Sequence, residues 1–305
     1  MNRAVDGGVL RGFREGLLTS TSVLANAPDA ARAMREWRVL GEDYTADALP
    51  SIPNRRRLGD PSQTFDLGVH LNLTQGRPLD GSRYPVELLD SEGRFPGVFA
   101  LFARLRRFGG KFHTPIREEL ERQIQFVLDH GTRPTHLNGH QYVEMMPTMA
   151  DIVMNVMERF KVKVVRVADE RSLFRSTLLG GRHAWKLPLA LVKRAFAGRF
   201  LARIRERGIG HPDVFYGTVH AGEINLRVLR RFLASGQKHQ FVEVGLHPAE
   251  TTEKISPEHR ADGWFDPLAD WRPNELRMLV SAELPTWLES SGRRLGRLAD
   301  LSATS

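Results

Sequence analysis

The sequence predicts one α/β domain with a mainly parallel sheet, and two observations lead to this prediction. Short runs of β-branched and apolar residues alternate with longer stretches of helical periodicity, which is the pattern of strands joined by crossover helices. The chain has 305 residues and 41% hydrophobic content, enough to bury a full core. Because α/β barrels often use roughly 250 residues, we expect residues 1–305 to form one domain.

The individual elements follow from local periodicity and punctuation. The helices predicted over 147–160 and 225–236 begin after Pro147 and near Asn225, which suit first-turn and capping positions. A further helix is predicted over 117–131. The predicted strands are six short apolar runs, at residues 17–26, 65–73, 134–139, 162–168, 213–219 and 240–247.

Two segments interrupt this alternation. Residues 41–63 are rich in turn-forming residues and predict a long surface loop. Residues 183–208 form a basic amphipathic stretch, which is either an ordinary helix covering the sheet or a helix that touches a membrane or a lipid-bearing substrate. Its predicted apolar face consists of Trp185, Leu189, Val192, Phe196 and Phe200.

The composition excludes several kinds of site and partner. There is no cysteine, so any metal ion must be bound by His, Asp or Glu. The first residues are interrupted by charges and no apolar run reaches about 18 residues, so we expect a cytoplasmic protein. The chain has a net charge of +8 but no nucleic-acid-binding motif, so we expect no nucleic-acid partner.

Strand phase brings polar residues of four strands to one place. Alternate side chains of a strand point to opposite faces, and Val69, Leu71 and Leu73 alternate with polar residues. In a parallel barrel, polar residues late in strands lie at the carboxyl rim, where active sites occur. Any one of these histidines, taken alone, is more typical of an interior or rim residue satisfied by hydrogen bonds, and only the agreement of several residues favours a site. The residues expected to converge are His70, His140, Arg166 and His247.

These residue types are suited to metal-assisted hydrolysis. Two imidazoles suit Zn²⁺, and a catalytic zinc usually has three protein ligands and an open position for water. A histidine on another strand could transfer protons, since its unperturbed pKa is near neutral. The sequence shows no obvious third ligand.

Five motifs occur in order over residues 16–248. They read GLLTSTSVLANAP, GVHLNLTQGRPL, PTHLNGHQYVEMMP, VRVADE and VEVGLHP. Taken together, these motifs resemble the YdjC-like carbohydrate deacetylase family. Among its branches, the resemblance is closest to the hopanoid biosynthesis-associated branch, HpnK.

The resemblance implies a distorted (β/α) barrel of the glycoside hydrolase/deacetylase type that binds a divalent ion, Zn or Mg. It assigns His70 and His140 as metal ligands, and His247 as a catalytic acid or transition-state stabiliser. Arg166 and Glu170 match a rim pair expected to orient substrate. Three polar residues near these positions are also expected to contact substrate: Asn72, Asn138 and Glu243.

The chain departs from the family pattern in two places. The family's N-terminal ADDFG motif, which supplies a metal-binding aspartate and the expected general base, has no counterpart, so the barrel is expected to lack its first strand. The usual HQHVH motif reads HQYVE, with Tyr142 and Glu144 replacing two histidines. A start codon assigned too far downstream and a real loss of catalysis both explain the first departure, and Glu144 is a candidate carboxylate ligand.

Two functions are therefore expected. The first is a metal-dependent deacetylase that removes acetyl from an N-acetylglucosamine-bearing hopanoid or related glycolipid, with transient contact to a membrane surface. The second is a non-catalytic relative that binds a glycan or lipid. In either case, we expect a small-molecule N-acetylated sugar or glycolipid as partner, and a homo-oligomeric assembly.

Overall fold

The computed structural model describes residues 2–43, 65–170, 187–235 and 241–303. Residues 44–63 of the predicted surface loop lie outside the described residues, as do residues 183–186 of the basic stretch. The described part is a mixed α/β structure with parallel strands, as the alternating pattern predicts.

The strands form two parallel sheets. The first contains β1 (Ser20–Val23), β2 (Asp66–Leu71) and β3 (Leu137–Gly139), in that order. The second pairs β4 (Val214–Tyr216) with β5 (Val242–Val244). All five lie inside predicted strands, although each is shorter than predicted.

The sixth predicted strand, 162–168, does not form a named strand. It makes two isolated parallel bridges instead, one between Val165 and Leu137 of β3 and one between Val164 and Gly210. A backbone hydrogen bond from Asp213 to Phe241 lies beside the second sheet. Within the described ranges, the sheets do not close into a barrel, so the barrel remains an expectation of the family resemblance.

Helices follow and cover the strands, and the three predicted helices are found with shifted bounds. Three helix starts in the described residues are capped by side chains. Asn2 accepts a hydrogen bond from the Val5 backbone, Ser256 accepts one from His259, and Asn225, as predicted, accepts one from Val228. The helices are α1 (Arg3–Arg14), α2 (Ala30–Asp43), α3 (Val98–Phe108), α4 (His113–Asp129), α5 (Ala150–Phe160), α6 (Leu187–Glu206), α7 (Leu226–Ser235), α8 (Pro257–Ala261), α9 (Arg272–Leu279) and α10 (Glu283–Ser290).

The largest apolar core lies between the first sheet and α4. Val69, Leu71 and Leu73 are fully buried in it, as the strand phase predicts, together with Leu120 and Ile124 of α4. Full burial of one such side chain contributes about 1.5–3 kcal/mol. This packing fixes the position of β2, and the side chains that alternate with Val69 and Leu71 point away from this core.

Helix α6 packs on the protein through a face that partly coincides with the predicted one. Of the predicted apolar residues, Phe200 is buried and Phe196 packs against the core, whereas Val192 is half exposed. The buried stripe is Ala197, Phe200, Leu201 and Ile204, at the spacing of an ordinary covering helix. Among the helices described, none has the length and apolar character needed to cross a membrane.

The strands differ in how well they are enclosed. β2, β3 and the 164–165 bridge are buried, and we call them the core side. Every residue of β1 is only partly buried, and so are Val242 and Val244 of β5. In the described residues β1 pairs with β2 alone and β5 with β4 alone, so we call these two strands the edge side.

Candidate functional site

A cavity of about 1820 Å³ opens at the carboxyl ends of the strands. The core side and the edge side both contribute to its wall, since His70 and Gly139 line it together with all four residues of β1 and all three of β5. Its volume exceeds the roughly 300–1,000 Å³ of an ordinary small-molecule pocket. The polar residues around its strand-end region are His70, His140, Arg166, Glu243, His247 and Arg272.

His70 and His140 face each other across the ends of β2 and β3. His70 Nε2 lies 3.3 Å from His140 Nδ1, and the other ring nitrogen of His70 lies 2.5 Å from Asn138 Oδ1. Because an amide oxygen only accepts hydrogen bonds, His70 must carry its proton on Nδ1. Its Nε2 therefore presents a lone pair toward His140.

This arrangement fits two ligands of one metal ion. Two nitrogens about 2.0–2.1 Å from a tetrahedral zinc are separated by roughly 3.3 Å, the separation found here. Asn138 plays the part of the outer partner that fixes the tautomer of a ligand histidine. No group of three or more metal-binding side chains occurs in the described parts of the chain, so the two histidines are only part of a ligand set.

Both histidines are neutral in this surrounding. Burial, followed by the neighbouring His140, lowers the pKa of His70 well below its ordinary value. Burial, followed by the positive charge of Arg272, lowers the pKa of His140 to about 4. Neutral imidazole is the form that binds metal, so the unprotonated state needed for binding already prevails at neutral pH.

The segment after β3 turns sharply at two residues with left-handed backbone. Gln141 and Tyr142 have φ values of 53° and 63°, which are uncommon for residues other than glycine. The Tyr142 hydroxyl donates to Thr218 at 3.3 Å, and the Lys193 ammonium lies 4.5 Å from its ring centroid. The turn thus directs Tyr142 toward the cavity wall, next to His140.

Glu144 is fully buried against Gly139, where a Cβ atom would overlap its carboxyl group. Burial raises the pKa of Glu144 to about 8, so the carboxyl is largely protonated at neutral pH. Neither of its oxygens has a hydrogen-bond partner in the described structure. Glu144 therefore does not complete the ligand set in this conformation.

His247 approaches the same cavity from the edge side, just after β5. Its ring is 37% exposed, but Nδ1 is buried and lies 3.9 Å from Glu275 Oε2. Burial, followed by the charges of Arg272 and Arg166, lowers the pKa of His247 to about 3. The structure therefore brings together three of the predicted site residues, His70, His140 and His247.

Arg166 and Glu243 form a buried ion pair in the wall. Arg166 Nε donates to Glu243 Oε1 at 2.7 Å, and the guanidinium lies 4.8 Å from the centre of the Phe215 ring. Burial has the largest single effect and would lower the pKa of Arg166, but the charge and hydrogen bond of Glu243, together with Tyr142 and Glu144, raise it. The described ion-pair partner of Arg166 is thus Glu243, and the role of Arg166 and Glu170 as a rim pair that orients substrate stays a prediction.

The other predicted site residues have structural surroundings. Asn72 is fully buried, and its side chain bonds to Asn26 and to the backbone of Gln75. Glu170 is almost fully buried, and burial raises its pKa to about 7. These surroundings hold Asn72 in a turn and place Glu170 beside Thr218.

Sequence reasoning missed the charged residues of the segment that follows β5. Arg272 lines the cavity and pairs with Asp266 at 2.7 and 3.0 Å. Glu275, one turn later on α9, accepts a hydrogen bond from the His247 backbone. The one available signal is the i, i+3 spacing of Arg272 and Glu275 on a short helix.

Comparison with known proteins places this fold and site in a family. A family model described as YdjC-like protein matches residues 1–290. The chain is 26% identical to a carbohydrate deacetylase of Mus musculus, over 98% of this chain and 90% of the relative. It is 28% identical to a chitooligosaccharide deacetylase of Citrobacter koseri, over 96% of this chain and 92% of the relative.

A solved structure supports the fold. The crystal structure of an Enterococcus faecalis protein, proposed to cleave cellobiose-phosphate, superposes with a TM-score of 0.69 over 98% of this chain and 94% of that chain. The sequence identity is 18%, so this likeness concerns the fold alone. The match over residues 1–290 shows that the chain belongs to the YdjC-like family, as its motifs predict, and its relatives are hydrolases named carbohydrate deacetylases.

Proposed function

We propose that this protein is a divalent-metal-dependent deacetylase that hydrolyses the acetamide of an N-acetylglucosamine-bearing glycolipid, such as a hopanoid. The observation that carries the proposal is the pair of neutral histidine nitrogens, 3.3 Å apart and fixed by Asn138, at the end of a cavity that also contains His247. The names of the relatives support the reaction type.

His70 and His140 would hold the ion, zinc or magnesium, with a further ligand from outside the described set. When bound, such an ion polarises a carbonyl oxygen and lowers the pKa of water. Asn138 keeps the lone pair of His70 on Nε2, and core packing of β2 and β3 keeps the two rings in register. Their role is to hold the reacting atoms in one position.

His247 is the proton carrier in this proposal. Burial and the neighbouring arginines lower the pKa of His247, so the ring enters the reaction neutral, and its place in the cavity would let it accept the proton of the attacking water. As the C–N bond breaks, the same ring returns the proton to the amine nitrogen, which leaves acetate and a free amino sugar. The Arg166–Glu243 pair is electrically balanced, and its position in the wall suits hydrogen bonding to sugar hydroxyls.

An apolar rim around the cavity supports a lipid-bearing substrate. Phe99, Phe265 and Val192 are 72%, 64% and 50% exposed, and all three line the cavity. Exposed large apolar side chains collected at one opening are typical of binding sites for apolar groups. We assign this rim to the lipid part of the substrate and the histidines to the acetylated sugar.

Metal content and acetate release test the proposal directly. The protein, purified and dialysed, should retain about one equivalent of zinc by elemental analysis and release acetate from an N-acetylglucosaminyl lipid faster than from free N-acetylglucosamine. His70→Ala should abolish both metal retention and acetate release. His113→Ala, in a histidine of α4 that does not line the cavity, is the matched control and should change neither.

A binding protein without catalysis is the competing function. It is favoured by the missing third ligand among the described residues. Stoichiometric binding of the glycolipid, with no acetate released under any metal supplement, would establish this alternative and overturn the deacetylase proposal.

A further inference from the structure

Helix α9 contacts both backbone polar groups of His247, its N–H and its carbonyl. Glu275 Oε2 accepts the His247 backbone N–H at 2.5 Å, while Arg272 Nη1 donates to the His247 carbonyl at 3.3 Å. Glu275 Oε1 also accepts the Ile224 backbone N–H at 3.1 Å. One carboxyl group therefore connects the segments that follow β4 and β5.

The same carboxyl group also lies near the His247 ring. Nδ1 of His247 lies 3.9 Å from Glu275 Oε2, and this nitrogen is buried without a hydrogen-bond partner in the described structure. Hydrogen bonds of catalytic groups are often long in free enzymes and shorten when substrate binds. A closer approach of Nδ1 to Oε2 would give this nitrogen its partner.

Arg272 does not compete for this carboxyl group. Its guanidinium is occupied by Asp266 through two hydrogen bonds, and both side chains are almost fully buried. Glu275 itself is completely buried, so bulk water does not compete either. A buried carboxyl group beside an unpartnered imidazole nitrogen is the arrangement that fixes a histidine tautomer.

We propose that Glu275 is a positioning residue that holds the proton of His247 on Nδ1 and thereby keeps Nε2 as the proton-accepting atom. This inference rests on the proposed function, because it gives His247 the tautomer needed to accept a proton from water at Nε2. Glu275 acts through His247 and does not itself touch the substrate.

The tautomer of His247 is measured by ¹⁵N NMR on the full chain with labelled histidine, and its signal is assigned by its loss in His247→Gln. The wild-type ring should carry its proton on Nδ1. In Glu275→Gln, one amide oxygen has to replace two carboxylate oxygens that already accept backbone N–H groups, so acceptance from Nδ1 weakens and the fraction of rings protonated on Nε2 should rise. Glu289→Gln, in an exposed residue of α10, is the matched control and should leave the tautomer unchanged.

The two ring nitrogens thus give a readout that does not depend on activity. A wild-type ring protonated on Nε2 overturns the proposal without any variant, even if Glu275→Gln fails to fold. A tautomer that stays on Nδ1 in a folded Glu275→Gln also overturns it. A chain that shows the expected tautomer change but releases no acetate contradicts the proposed function and leaves the role of Glu275 standing.

Kinetics supply a second readout where acetate is released. Loss of an outer partner of this kind reduces activity by about 10- to 100-fold, and we expect this loss in kcat with little change in KM for Glu275→Gln. Glu275→Asp retains a carboxylate and should recover part of the lost rate. An equal loss in both variants, with the tautomer unchanged, would show that Glu275 is only a structural residue.

Discussion

The core side and the edge side of the cavity position their histidines by different means. On the core side, His70 and His140 follow strands enclosed by apolar packing, and one amide fixes the His70 ring. On the edge side, His247 follows a partly exposed strand and is held by charged groups of α9. Under the proposed function, packing would suit two ligands that must keep a constant separation, and charged contacts would suit a ring that exchanges protons.

The largest effect should come from replacing one histidine on each side. His140→Ala should lose the metal ion, because His140 is one of its two proposed histidine ligands. Acetate release should fall by about 1,000-fold or more, because the reaction depends on that ion. His247→Ala should lose a similar factor in kcat but retain the metal ion. Elemental analysis and acetate assays on the same samples check this. Loss of metal from His247→Ala would show that the two sides do not have separate roles.

The sides should also differ in their contribution to stability. Val69→Ala removes two methyl groups from a fully buried site and should lower the free energy of unfolding by about 2–3 kcal/mol. Val242→Ala makes the same chemical change in a partly exposed strand and should cost about 1 kcal/mol or less. Urea unfolding of both variants measures the difference. Equal losses would mean that β5 is as well enclosed as β2.

A smaller effect concerns the buried acid on the core side. The pKa of Glu144 is raised to about 8 from 4.5, so between these values the folded protein keeps a proton that the unfolded chain releases. Stability therefore falls as pH rises through this range. Glu144→Gln should remove that fall. The free energy of unfolding of the variant, relative to that of wild type, should therefore increase by about 1–2 kcal/mol between pH 6 and pH 8.

Urea unfolding at pH 6, 7 and 8 in the presence of a chelator measures this change. Glu158→Gln, in an exposed residue of α5, is the control and should keep the wild-type pH dependence. Glu170 and Glu275, whose pKa values burial raises to about 7, should account for the fall that remains in Glu144→Gln. An unchanged pH dependence in Glu144→Gln would show that its carboxyl is ionised when folded.

The core side was largely predictable from the sequence because its signals are local. Alternation along 65–73 correctly separates Val69 and Leu71, which pack in the core, from His70, which faces the cavity. Strand phase also places His140 at the same rim, and the family motif adds the expectation that it is a metal ligand together with His70. Asn72 shares the phase of His70 but enters a turn, because the strand ends at Leu71 and alternation no longer applies.

The edge side was less predictable because no local pattern in the sequence marks its contacts. Arg166 and Glu243 form an ion pair across 77 positions, and the family motif names Arg166 and Glu170 as rim residues without indicating Glu243 as the ion-pair partner. Glu275 likewise reaches His247 across 28 positions. Strand bounds were overestimated throughout, since apolar runs continue beyond the residues that pair.

The left-handed turn after His140 has a consequence for how this protein can evolve. Each of Gln141 and Tyr142 gives up roughly 1–2 kcal/mol relative to a relaxed backbone, and glycine would remove most of that cost. Glycine there would also widen the range of positions open to His140. Glycine at either position would therefore raise stability but hold His140 less firmly, which would lower turnover. Selection for turnover would keep the strained residues.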